Sequence, residues 1–211
     1  MLRLFAAIFM VSFLSGCFSS GPQYLAQPQA ITMDGSYIHQ PSGIMFPVRT
    51  GEFQRMAIYQ FDAEGQHISV GYNRSVAGKP VAVTVYVYPS PSIKSFGSPQ
   101  SVIDGTRSEL CQHEFAAHQY EITNIHPDAR LIRDETSQRD NQGYQKLFAR
   151  FSYEDTFAGM PQALWSELQL SCYINDKWDI KYRVTYPQNT AVDAEIQKLK
   201  QAIENVQYDA Q

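Results

Sequence analysis

The sequence predicts an α+β fold: a mainly antiparallel sheet of about six or seven strands, with an internal helix and a C-terminal amphipathic helix packed on it. Three observations carry this expectation. Val81 to Tyr88 (VAVTVYVY) and Lys177 to Tyr186 (KWDIKYRVTY) alternate with the period of strands. Ser101 to about Tyr120 takes helical spacing, with Ile103, Leu110, Cys111, Phe115 and His118 tending to one side. Val192, Ile196, Leu199, Ile203 and Val206 recur at steps of four, three, four and three, which places one narrow apolar stripe on a helix.

In chain order, Phe53 to Phe61 (FQRMAIYQF) and Gln66 to Asn73 (QHISVGYN) read as neighbouring strands. Val81 to Tyr88 follows, with Val81, Val83, Val85 and Val87 on one side and Ala82, Thr84, Tyr86 and Tyr88 on the other. Both sides can be buried, so this strand belongs in the middle of the sheet. Pro89, Pro91 and Pro99 punctuate a loop before the internal helix, where Gly105 costs roughly 1 kcal/mol relative to alanine. Arg130 to Gln138, Gly143 to Tyr153 and Gln162 to Tyr173 are further strands, and a turn at Asn175-Asp176 leads into Lys177 to Tyr186 as a hairpin with one wet face. Pro187 ends that strand. Asn189 or Thr190 can cap the last helix by accepting free amide protons of its first turn, and Asp193 suits the positive end of its dipole.

This order, strand, helix, strand meander and terminal helix with KYRVTYP leading into it, resembles the Mog1/PsbP-like α-β-α sandwich over about residues 43 to 208. The resemblance is one of element order alone. It implies an accessory or binding protein, although a fold does not by itself dictate function.

The first residues carry a separate signal. Arg3 and the amino terminus precede the apolar run Leu4 to Leu14 (LFAAIFMVSFL), the layout of a secretory signal peptide. The run is shorter than the roughly 20 residues a membrane span needs. It ends in Leu14-Ser15-Gly16-Cys17, which resembles the lipobox of bacterial lipoproteins. That resemblance implies a lipid on the Cys17 thiol, cleavage between Gly16 and Cys17, and acylation of the new amino terminus. Two or more acyl chains make a stable anchor where one does not. In the enterobacterial sorting pattern an aspartate after the cysteine retains the protein at the inner membrane; Phe18 stands there, which implies the outer membrane, facing the periplasm. The expected organisation is therefore a signal peptide over 1–16, a flexible tether over 17–42 rich in Gly, Pro, Ser and Gln, and one periplasmic domain over 43–211. A formal charge of −4 gives no basic footprint for nucleic acid and no lysine block for an anionic membrane face.

With Cys17 lipidated, Cys111 and Cys172 form an even pair in an oxidising compartment. A disulfide between them would close a loop of about 60 residues, worth roughly 4 kcal/mol. The alternative is two buried free thiols.

Catalytic motifs are weaker. In CQHEFAAH, His113 and His118 lie five residues apart, about 140° round a helix, whereas the zinc-protease HExxH spacing of four puts both on one side of the ion. Gly71 to Pro80 (GYNRSVAGKP) resembles a phosphate loop only in part, because Asn73 and Pro80 stand where glycine and a hydroxyl are needed; a hairpin connection explains it as well. There is no GxSxG elbow. Asp134-Glu135 and Glu154-Asp155 read as solvated turns, since adjacency does not make carboxylates converge. No catalytic residue, metal ligand or cofactor is assigned.

Thirteen tyrosines and twelve phenylalanines stand out instead. Tyr86, Tyr88, Tyr182 and Tyr186 are candidates for a binding surface, because tyrosine joins large contact area to a polar end. The competing reading is that these rings are strand formers and core filler. Together these features point to a lipid-anchored, non-enzymatic binding, accessory or assembly factor with a periplasmic or outer-membrane protein partner. An immunity or inhibitor lipoprotein against an envelope-targeting toxin is a second reading, and a small periplasmic hydrolase a third.

Overall fold

A computed structural model describes residues 23–76, 79–139 and 144–204. The expected signal peptide and Cys17 lie outside the described residues. The elements run β1 (Tyr24–Ala30), β2 (Tyr37–His39), β3 (Ile44–Phe46), β4 (Arg49–Thr50), β5 (Phe53–Asp62), β6 (Ile68–Val76), β7 (Lys79–Pro89), α1 (Gln100–Ile125), β8 (Arg130–Arg139), β9 (Gln145–Phe157), β10 (Met160–Ile174), β11 (Trp178–Pro187) and α2 (Asp193–Glu204). The main sheet is antiparallel with nine strands in the order β1-β5-β6-β7-β11-β10-β9-β8, β4 also pairing with β5; β2 and β3 form a separate hairpin.

All seven strands expected from periodicity are present, and β1 and β4 bring the count to nine. Neither additional strand carries a pattern to read. β4 has two residues, and six of the seven in β1 are exposed, so nothing forces an apolar alternation there. Pro28 is compatible with β1 because the strand lies at the sheet edge, where a missing N–H need not break a ladder. Residues 24–30 and 37–39, expected within a tether, are thus strands of the domain.

The pleat sorts the core into two layers, because alternate residues face opposite sides. On one face, Val81, Val83, Val85 and Val87 of β7 join Ile68, Val70 and Tyr72 of β6 and Ile180, Tyr182 and Val184 of β11. Helix α2 closes this face with Ile196, Leu199 and Ile203, beside the β2–β3 hairpin with Phe46 and Ile44. Burying each such side chain contributes about 1.5–3 kcal/mol. On the other face, Leu147, Ala149 and Phe151 of β9 and Leu168 and Leu170 of β10 pack under Cys111, Phe115 and Ile122 of α1. Those three fall at i, i+4 and i+11, one side of the helix. Helix α1 continues to Ile125, five residues past the expected end, and Ile103 and Leu110 are only half-buried.

The two helices therefore cover opposite faces and different halves of one sheet. Each face keeps an uncovered half. Cys111 and Cys172 tie α1 to β10, their sulfurs 2.00 Å apart. Three residues, Asn175 to Lys177, connect β10 to β11, and Asn175 and Asp176 are both at positive φ, 51° and 60°, with the Lys177 amide donating to the Ile174 carbonyl at 3.2 Å. Helix α2 starts at Asp193, directly after the buried Val192, so Asn189 and Thr190 fall short of the capping position. Asp193 and Glu195 supply negative charge to its first turn. Val206 lies outside the described residues.

Candidate functional site

The uncovered half on the α1 side spans β5, β6 and β7. Register carries one row of neighbours from Tyr59 through Ser69 and Tyr86 to Lys181, and the next from Ala57 through Gly71 and Thr84 to Arg183. The small side chains of Ala57, Gly71, Ser69 and Thr84 make a low floor, while Tyr59, Phe61 and Tyr86 stand above it, and Gln27 and Pro28 of β1 close the far side. The groove encloses about 500 Å³, within the range of small-molecule sites. A Cβ on Gly71 would meet only the Ala57 carbonyl, at 3.9 Å, so the glycine keeps the floor open rather than relieving strain. Tyr59 is 42% exposed.

The groove runs into a cluster of ionisable groups where α1 passes over β7 and β11. Glu114, His118 and Glu121 recur at i, i+4 and i+7, a polar stripe beside the apolar one. His118 Nε2 lies 3.3 Å from the Tyr88 hydroxyl, and its Nδ1 lies 3.0 Å from Glu121 and 3.2 Å from Lys181 Nζ. One ring nitrogen cannot donate to Glu121 and accept from Lys181 at once, so Lys181 competes for its only hydrogen-bond acceptor among the described residues. The Lys181 ammonium also lies 4.5 Å from the centre of the Tyr86 ring, a cation–π distance.

Burial sets the charges here. Asp179 is 1% exposed and accepts from Ser90 Oγ at 2.5 Å and from the Tyr173 amide at 2.9 Å. Burial, with the Glu114 carboxylate adding to it, pushes Asp179 up to about 7 against the pull of those two donors. Burial also raises Glu114, but hydrogen bonds from His118 and Tyr88 outweigh it and hold the group below the usual range. Desolvation lowers His67 to about 4 and Lys181 to about 8, lowers Arg183, and raises Tyr86 and Tyr88. His67 packs on Phe61 at 4.7 Å and on Tyr88 at 5.1 Å between ring centres, continuing the aromatic wall.

The four tyrosines expected to share a surface are split by the pleat. Tyr86 and Tyr88 belong to this site, half-buried, with Tyr86 lining the groove. Tyr182 and Tyr186 point to the α2 face, 0% and 2% exposed, and are core residues there. Tyr86 and Tyr88 share one side of β7, and Tyr182 and Tyr186 share one side of β11, but the strands pair with Val85 opposite Tyr182, which turns the two tyrosine pairs to opposite sides of the sheet. The β11 face expected to be wet instead holds Asp179, Lys181 and Arg183 beneath the edge of α1. Sequence reading also missed Tyr59, Phe61, Lys181 and Arg183; the alternation of KYRVTY contained the two cations on one face, but not what covers them.

On the α2 side, the uncovered half forms a cleft of about 310 Å³ beside β8, β9 and α2. Its charges satisfy one another: Arg150 donates to Glu167 at 2.6 and 3.0 Å, Tyr186 donates to Glu167 at 2.8 Å, and Lys200 donates to Gln169 at 3.0 Å. His113 is exposed on α1 while His118 turns inward. Asp134-Glu135 and Glu154-Asp155 lie on strands β8 and β9 rather than in turns. The β6 and β7 ladder runs to Val76 opposite Lys79, so Gly71 to Pro80 is a hairpin. Ser90 donates to Asp179 and has no histidine partner among the described residues.

Comparison with protein-family models, curated proteins and solved structures finds no match.

Proposed function

We propose that the chain is a lipid-anchored envelope lipoprotein whose periplasmic domain acts by binding, as an accessory or assembly factor. The observation that carries the binding reading is the open aromatic groove on the half-sheet that α1 leaves uncovered. An uncovered, concave apolar surface with a few polar groups at one end is the form that ligand sites take. The anchoring reading rests on the apolar run and on Leu14-Ser15-Gly16-Cys17.

Since β1 begins at Tyr24, only six residues separate Cys17 from the domain. Fully extended, they reach about 25 Å. A domain so tethered keeps β1, the groove's outer wall, close to the membrane surface.

A photo-crosslinking amino acid placed at Tyr59 in cells, compared with one at the exposed Glu109 on α1, tests the binding reading. A discrete adduct from position 59 and none from 109 is the expected result; the same diffuse labelling from both would overturn it. For the anchor, Cys17→Ser should leave the precursor unprocessed and free of labelled palmitate. Unchanged labelling would refute acylation at that residue.

A further inference from the structure

Lys181 and Arg183 stand two residues apart on β11, on the same face and half-buried, one strand spacing of about 5 Å from Tyr86 and Thr84 of the groove. Neither has a carboxylate in ion-pair range among the described residues, in contrast to Arg74, Arg107 and Arg150, each of which does. Among the described residues Arg183 makes one side-chain hydrogen bond, a long 3.3 Å contact to Ser166, and its buried Nε has no partner. The acids of α1 reach toward this pair but engage His118 instead: Glu114 at 3.5 Å and Glu121 at 3.0 Å. Two desolvated cations with no carboxylate in ion-pair range cost stability, and a buried polar atom without a partner calls for an explanation such as a bound group. An anion arriving here would meet both cations. What it is attached to would lie along the aromatic groove.

We propose that the groove binds an amphipathic anion, its hydrocarbon part over Gly71 between Tyr59 and Tyr86, and its carboxylate or phosphate at Lys181 and Arg183. This deepens the binding role proposed above and rests on it. Chemistry at both ends is then complementary: rings and small apolar side chains for a chain of methylene groups, and a guanidinium with an ammonium for an oxyanion, the pairing in which charge-assisted hydrogen bonds are strongest. The proximity of β1 to a membrane anchor at Cys17 puts the groove where lipids are the abundant amphipathic anions.

The test titrates the full-length protein, held in a nonionic amphipathic polymer, with decanoate, decyl phosphate, decanol and inorganic phosphate by calorimetry. Binding of decanoate and decyl phosphate at least tenfold tighter than decanol or inorganic phosphate is expected. A preference for decanoate would assign a fatty acid and a preference for decyl phosphate a phospholipid-like head, and both support the shared chemistry. Lys181→Met with Arg183→Met should abolish the preference over decanol while raising the melting temperature, since two uncompensated charges are removed. Gly71→Leu, which fills the floor, should abolish binding of both tailed anions with the fold intact. Equal binding of decanol and decanoate, equal binding of inorganic and decyl phosphate, or no binding would each overturn the proposal. A discrete envelope adduct at position 59 together with any of those results would leave the groove a binding site and remove only the anion.

Discussion

Replacing the Cys111–Cys172 bridge by Cys111→Ala with Cys172→Ala is expected to cost about 4 kcal/mol. The bond joins residues 61 apart, and the chain-entropy relation gives about 4 kcal/mol for a closed loop of that size. The location makes this loss specific. Helix α1 is 26 residues long but buries only Cys111, Phe115 and Ile122. Without the bond, Phe115 and Ile122 hold it to β9 and β10 at about 1.5–3 kcal/mol each, against the cost of ordering a long, largely exposed helix. Urea unfolding should show stability falling by about 4 kcal/mol and the slope rising, because the unfolded chain without the bridge is less compact and exposes more surface. Native-state hydrogen exchange should show α1 amides losing protection before those of β7 and β11. A loss under about 1 kcal/mol with α1 protection intact would refute the reasoning, because it would mean that the bridge neither restrains the unfolded chain nor secures the helix.

Asp179→Asn preserves the oxygen that accepts from Ser90 and the Tyr173 amide and removes only the charge. Asp179 is raised from the ordinary 3.8 to about 7, so the folded protein binds the extra proton and wild-type stability falls as pH climbs through that window; the variant should be more stable above pH 7, by on the order of a few kcal/mol, and the difference should close below about pH 4 in thermal melts. Glu167→Ala leaves the Arg150 guanidinium and the Tyr186 hydroxyl facing a gap at a site 4% exposed, and should cost about 3 kcal/mol in urea unfolding, with Glu167→Leu plus Arg150→Met recovering most of it. Phe151→Ala, in the layer between β9 and α1, should cost about 3–5 kcal/mol by the same assay, through lost burial and the cavity left behind.

Periodicity carried the fold a long way because six of the seven main strands bury residues along at least one face, and burial forces alternation; β8 is the exception, exposed at every described side chain except the half-buried Glu135. VAVTVYVY is the central strand because four valines at period two must go inward together. The terminal helix was readable for the same reason: Ile196, Leu199 and Ile203 share one side and meet one surface. In β1 burial is nearly absent, and so is the signal. β1 pairs through backbone hydrogen bonds and exposes nearly all its side chains, so its composition resembles that of a tether.

The sequence by itself determined the main strand and helix segments, the cysteine pair available for a bridge, and the Leu14-Ser15-Gly16-Cys17 motif on which acylation is proposed, because each depends on local periodicity or on a short contiguous motif. Tertiary structure alone decided which half of each sheet face stays open, which of four tyrosines became core, and that Lys181 and Arg183 lie beside an aromatic groove with no carboxylate in ion-pair range among the described residues. Those outcomes depend on register between β7 and β11, paired across about 100 residues of chain, and on where α1 and α2 land. No local pattern encodes either.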